Sequence, residues 1–208
     1  MNKNLRRCLC ALCLGLILVP LLPFSVPAEE EQQEEQTALQ DYTDYSVSGV
    51  ADLEALAELC RLDSASRSLR VTLKADIDLK GHENLMIPTF GGIFDGQNHK
   101  IYGIAIEQDG SARGLFRYIQ QGATVKNLQL IGRVTPAGSS TQIGGLVGVN
   151  AGTLENISFY GAVCGASQVG GIVGVNQVSG RIDGCTMKGY IRGSKSLGGI
   201  VGENQGVV

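Results

Sequence analysis

One hexapeptide recurs along this chain and limits what it can fold into. Gly145-Leu146-Val147-Gly148-Val149-Asn150 returns as Gly171-Ile172-Val173-Gly174-Val175-Asn176 and again as Gly199-Ile200-Val201-Gly202-Glu203-Asn204, at spacings of 26 and 28 residues. A weaker copy opens at Gly114-Leu115-Phe116. Periods of about 20–50 residues belong to arrays in which each unit buries its apolar face only against its neighbours.

Aligning the copies turns the repeat into columns. Val125, Leu154 and Ile182 form one; Leu128, Ile157 and Cys185 the next; Leu130, Phe159 and Met187 a third. Val134, Val163 and Ile191 follow, then Ile143, Val169 and Leu197. Their polar neighbours alternate with them at the two-residue period of a strand. Rungs stacked about 4.8 Å apart would line these side chains along one interior. Each buried aliphatic then contributes about 1.5–3 kcal/mol, once the next rung covers it. Gly132, Gly161 and Gly189 share a column where the coil bends without a side chain. Asn150, Asn176 and Asn204 share a turn column and are expected to hydrogen-bond from rung to rung. The expected fold is all-β: a parallel, right-handed β-solenoid.

Composition agrees. All but three of the 29 glycines lie after residue 90. Interior glycine costs a helix about 1 kcal/mol, so a helical bundle is excluded. The period is wrong for collagen, and too many aliphatics are interleaved for a disordered glycine tract. With 17 basic against 20 acidic residues, the chain is no basic nucleic-acid binder.

The first 28 residues read as an export signal. Lys3, Arg6 and Arg7 precede an apolar run from Cys8 to Val26, and Val26-Pro27-Ala28 suits a signal peptidase. Cleavage there would leave a formal charge of −6 and place the protein outside the cell or on its surface, with membrane contact only during export. Residues 29–47 are rich in Glu and Gln and are expected to be a flexible acidic leader. Three cysteines leave with the signal; Cys60, Cys164 and Cys185 remain, with no disulfide or metal-ligand spacing.

Before the repeats, Val50, Leu53, Leu56, Ala57 and Cys60 recur at three- and four-residue steps and predict a capping helix over 50–61. From Val71 to Leu79 every odd position is apolar, which predicts one half-buried strand. Asp95-Gly96 and Gln97-Asn98 then mark turns. The solenoid with its helix is expected to fill 48–208, its repeats starting near residue 114. Because Val208 stops within the last copy without a polar cap, the expectation is the N-terminal piece of a longer surface protein or a truncated gene product.

The Gly-Leu-hydrophobic-Gly motif, with its following asparagine, resembles the GLUG repeat of bacterial surface proteins. Such repeats occur in adhesin-like proteins and some secreted immunoglobulin A peptidases. The order of a short helix, Asp76-Ile77-Asp78-Leu79, Ile87-Pro88 and Phe94-Asp95-Gly96-Gln97-Asn98-His99-Lys100-Ile101 resembles the opening of their β-helical domain. The resemblance covers about residues 46–208. It implies a scaffold whose motif residues Gly145, Gly148, Asn150, Gly171, Gly174, Asn176, Gly199, Gly202 and Asn204 are structural.

Catalytic constellations do not emerge. The only histidines are His82 and His99, and His82-Glu83-Asn84 lacks the second histidine of a zinc-peptidase helix. Asp76 and Asp78 on one strand supply too few oxygens for calcium. Glu155 and Asp183 share a column one rung apart, close to the 5–5.5 Å or so of a retaining glycosidase pair. Lys126 precedes them in that column, however, which makes it a charge-mixed edge. The glycines recur with the rung and lack the Lys-Ser/Thr of a phosphate loop, so no nucleotide is expected. Cys185 should be buried as a small hydrophobe, and Cys164 should point outward as the more labile thiol.

One outward face stands out. Arg133, Tyr160, Lys188, Tyr190 and Arg192 alternate with inward residues over three rungs, and such a face suits a sugar ring or an anionic surface. The expected function is that of an exported, non-catalytic scaffold or adhesin-like module. Its partner would be a glycan or cell-surface protein, with no cofactor, metal or nucleic acid. The alternative is the N-terminal repeat domain of a larger secreted peptidase or carbohydrate-active enzyme.

Overall fold

The computed structural model describes residues 41–208, so the expected signal and most of the acidic leader lie outside the described residues. The chain enters as β1 (Thr43–Val47) and helix α1 (Val50–Leu59), then runs through β2 (Leu69–Leu73), β3 (Ile77–Asp78) and β4 (Ile87–Phe90). The next turn is β5 (Ile93–Asp95), β6 (Lys100–Ile106) and β7 (Phe116–Ile119). Then come β8 (Thr124–Val134), β9 (Thr141–Gly144) and β10 (Val147–Asn150), followed by β11 (Thr153–Cys164), β12 (Ser167–Gly170) and β13 (Val173–Asn176). The last turn is β14 (Arg181–Asp183), β15 (Thr186–Arg192), β16 (Lys195–Gly198) and β17 (Val201–Asn204).

These strands stack in parallel into three sheets, a β-solenoid of about six turns. The first sheet runs β1-β2-β5-β8-β11-β14 and also takes in β3, β6 and β15; the second runs β4-β7-β10-β13-β17, and the third β9-β12-β16. The register reproduces the sequence columns: Leu154 faces Val125 and Ile182, Phe159 faces Leu130 and Met187, and Val169 faces Ile143 and Leu197. The columns also extend further back than the repeat is visible, to Phe94 beside Val125, Ile101 beside Leu130 and Ile106 beside Val134. One main core runs through the coils, and three of its four fully buried phenylalanines are at the N-terminal end. There Phe94 packs edge to face with both Phe90 and Phe116, which are tilted to one another, with centroids 5.5–6.0 Å apart.

The long strands β8 and β11 bend at two places. Asn127 and Asn156 (φ 54° each) and Gly184 (φ 60°) form one left-handed column. Gly132, Gly161 and Gly189 (φ 155°, 152° and 141°) form the other. At the second bend a Cβ on Gly161 would collide with the carbonyl of Gly132 on the rung beside it, so the column excludes side chains.

The asparagine column is a ladder. Asn150 Nδ2 donates to Asn176 Oδ1, and Asn176 Nδ2 donates to Asn204 Oδ1, each at 2.8 Å. The amides also tie their own turns: Asn150 Nδ2 donates to the Gly152 carbonyl (3.1 Å), and the Gly152 amide donates back to Asn150 Oδ1 (3.2 Å). Asn150 and Asn176 are fully buried. One and two rungs earlier the same interior column holds Ile119 and Phe90.

Three boundaries differ from the sequence reading. Residues 43–47 of the supposed leader form β1, paired with β2 from Thr43–Leu69 to Val47–Leu73. Only Val47 of this strand is buried, so its sequence shows too little apolar alternation to reveal it. The strand expected over 71–79 is two strands with a corner at Lys74–Asp76; alternation survives the corner because both halves face the same core. The helix ends at Leu59, and Leu53, Leu56, Ala57 and Cys60 cover the start of the core.

Candidate functional site

The second and third sheets approach one another backbone to backbone. The repeat glycines Gly148, Gly174 and Gly202 stand where they meet. A Cβ on Gly148 would come within 2.6 Å of the Ala112 backbone, and one on Gly174 within 2.6 Å of the Ile143 nitrogen and the Gly148 carbonyl oxygen. This corner also upsets strand alternation. Val147 and Asn150 both face the core, whereas Val149 falls outside it and packs with Val175 and Ala112 in a small separate cluster.

Beside that corner lies a groove of about 930 Å³ over the outer face of the second sheet. Val149 and Val175 contribute to its lining, with Tyr118 next to Val149 on the preceding rung. Gln120, Gln121, Gln142, Gln177 and Ser179 surround them, and Asp63 and Arg67 stand at the N-terminal side. The sequence reading missed all of these residues. The available signal was the in-out-out-in pattern of Ile87 to Phe90 and of Phe116 to Ile119, which a strict two-residue alternation conceals.

The face that the sequence picked out divides into three parts. Arg133 and Tyr190 lie in one outward column with Ala162 between them, over a cleft of about 650 Å³. Tyr160 and Lys188 adjoin in the next column, the ammonium 5.6 Å from the ring centroid. Arg192 pairs in register with Cys164, and both line a smaller hollow of about 420 Å³. Arg133 is engaged by Glu107, with Nε and a terminal guanidinium nitrogen 2.8 and 2.7 Å from one carboxylate oxygen. Both partners are about half exposed, so the pair contributes at most about 1 kcal/mol. Tyr190 is 61% exposed.

The other polar candidates are occupied by turns. Asp76 accepts hydrogen bonds from the Lys100 amide (2.9 Å) and pairs with His99 Nδ1 (3.0 Å), and these contacts hold its carboxyl below the usual range. Asp78 caps the Lys80 amide at 3.0 Å. Asp95, Lys126, Glu155 and Asp183 follow one another in register, with Lys126 3.7 Å from Asp95 and Glu155 beside Asp183, so the column mixes one cation with three carboxylates. A further residue that the sequence did not reveal is Arg113. Its buried guanidinium donates to the carbonyls of Gln108, Asp109 and Ser111 and fixes the loop before β7.

The three described cysteines are free thiols in different settings. Cys60 is fully buried beside α1, and burial pushes its thiol up to about 11. Cys185 occupies its expected column against the core but is only partly buried in the last coil of the described residues; burial still raises its thiol. Cys164 is half exposed at its hollow. Alkylation at pH 8 should therefore reach Cys164 first and Cys60 only when the fold opens. Peptide mapping by mass spectrometry checks this order; equal labelling of Cys60 and Cys164 in the folded protein would contradict it.

No family model, no curated protein and no solved structure matches this chain. Any functional reading therefore rests on the residues themselves.

Proposed function

We propose that this protein is an exported, non-catalytic β-solenoid of the GLUG-repeat kind, acting as a scaffold or adhesin-like surface module. Its ligand is a glycan or another cell-surface group, met by the outer face of the first sheet. The observation that carries this reading is the placing of Tyr190 and Arg133 over one cleft, two rungs apart, with Tyr160 and Lys188 in the adjoining column. Aromatic rings beside cations stack on sugar rings and meet anionic groups with the same few atoms. Export follows from the N-terminal sequence pattern, with its basic start and apolar run.

The test is binding of a heparin hexasaccharide to the wild-type protein and to a Tyr160→Ala/Tyr190→Ala double variant. Both tyrosines lie outside the core, so the fold should persist. Losing two ring contacts of about 0.5–2 kcal/mol each weakens binding roughly tenfold or more. Unchanged affinity with an unchanged circular dichroism spectrum would remove this face from consideration.

A further inference from the structure

We infer that the groove over the second sheet is a second binding site, for a neutral oligosaccharide, separate from the face proposed above. None of its lining residues belongs to the Tyr190 cleft.

The lining chemistry selects the ligand. Gln121, Gln142 and Gln177 each carry an uncharged amide that both donates and accepts, which suits the paired hydroxyls of a sugar, while Gln120 Oε1 already accepts from Arg67 Nε at 3.1 Å. The charged residues of the lining, Asp63 and Arg67, are opposite in sign, and the one further cation beside it, Arg117, lies against the Tyr118 ring, so the groove is not the cation cluster that a phosphate or a sulfated chain requires. Tyr118 is 39% exposed, and its ring is steadied by the Arg117 guanidinium at 5.5 Å from the centroid. It supplies the apolar surface on which the C–H face of a pyranose rests, while Val149 and Val175, nearly buried, floor the groove beneath.

Geometry favours a linear chain of sugars. Tyr118, Val149 and Val175 follow one another in register on β7, β10 and β13. Rungs are spaced about 4.8 Å apart, close to the length of one pyranose, so a chain laid along the coil axis meets a new rung at each sugar. The polar rim is held by the backbone. Gln142 sits at φ 61°, the Gln120 amide donates to the Phe90 carbonyl, and the Gln177 amide donates to the Asn150 carbonyl, both at 2.8 Å. An extended peptide is a poorer fit. Strand addition needs an unpaired edge, and β7, β10 and β13 at the groove are each already paired on both sides.

The experiment titrates the full chain with four neutral hexasaccharides, derived from cellulose, amylose, mannan and chitin, and with the heparin hexasaccharide as the anionic comparison. Amide NMR shifts and calorimetry are the readouts. At least one neutral sugar is expected to shift the amides of Tyr118, Gln142, Val149, Val175 and Gln177. A Gln121→Ala/Gln177→Ala variant, changed only at exposed turn positions, should weaken that binding about tenfold. Tyr160→Ala/Tyr190→Ala should leave it intact, which separates this site from the first-sheet face. The inference is overturned if none of the four sugars shifts these amides at millimolar concentration, if the glutamine variant binds as well as the wild type, or if heparin occupies the groove more tightly than every neutral sugar.

Discussion

Gly174→Ala is expected to destabilise the protein by about 4 kcal/mol, lowering its thermal midpoint by about 8–16 °C for a domain of this size. A single methyl group has this effect because of where it must go. Gly174 stands at the corner between the second and third sheets, and the three atoms nearest its missing Cβ are all backbone: Gly148 O and Ile143 N lie 2.6 Å away, with the Gln142 carbonyl carbon closer still. No rotamer change relieves such a clash; strands must separate. Gly199 is the comparison. It belongs to the same hexapeptide motif, yet a Cβ there meets nothing within 4 Å, and its backbone lies outside the left-handed region. Gly199→Ala should therefore be neutral or stabilising by about 0.4–1 kcal/mol, through the lower entropy of the unfolded chain. Urea or thermal unfolding of the two variants decides. Equal effects would mean that glycine is frequent here for reasons of composition, and that the corner is not what requires it.

That contrast also explains what could be read from the sequence. The columns were legible because each rung places the same kind of side chain in the same surroundings. Val125, Leu154 and Ile182 can be aligned by eye and are neighbours in space. The repeat faded toward the N-terminus, where its positions accept other side chains that fill the same space. Ile87 and Phe116 occupy the column of Val147, yet the glycine of that motif is Pro88 in one rung and Arg117 in the next. The helix was visible through its apolar spacing, whereas β1 was not, since its backbone pairs with β2 while its side chains are mostly exposed.

The first-sheet face was legible as a set of alternating residues, but its division was not. Arg133 is drawn off by Glu107, 26 residues earlier, and Arg192 belongs to a separate hollow. The groove escaped altogether because its residues come from turns and from the corner where strict alternation fails. Gln142 adopts a left-handed backbone that its residue type does not announce.

The asparagine ladder gives the second large effect. Asn176→Ala removes an acceptor from Asn150 Nδ2 and donors from Asn204 Oδ1 and the Gly180 carbonyl, all at 2.8–3.2 Å, in a position with no solvent access. Stranding such groups costs about 1–3 kcal/mol, and the lost volume adds to it, so a total of about 2–4 kcal/mol is expected. The decisive observation is coupling. Asn150→Ala should have a similar cost, but once either amide is gone the bond between them is already lost. The double variant should therefore fall short of the summed single effects by about 1 kcal/mol or more. Additive costs would reduce the ladder to independent turn caps, each asparagine serving only its own Gly152, Gly180 or Gly206. Coupling would show instead why polar side chains persist in an interior column that Phe90 and Ile119 fill with apolar ones. Each amide binds the rung beside it and its own turn, and so fixes the register in which successive coils stack.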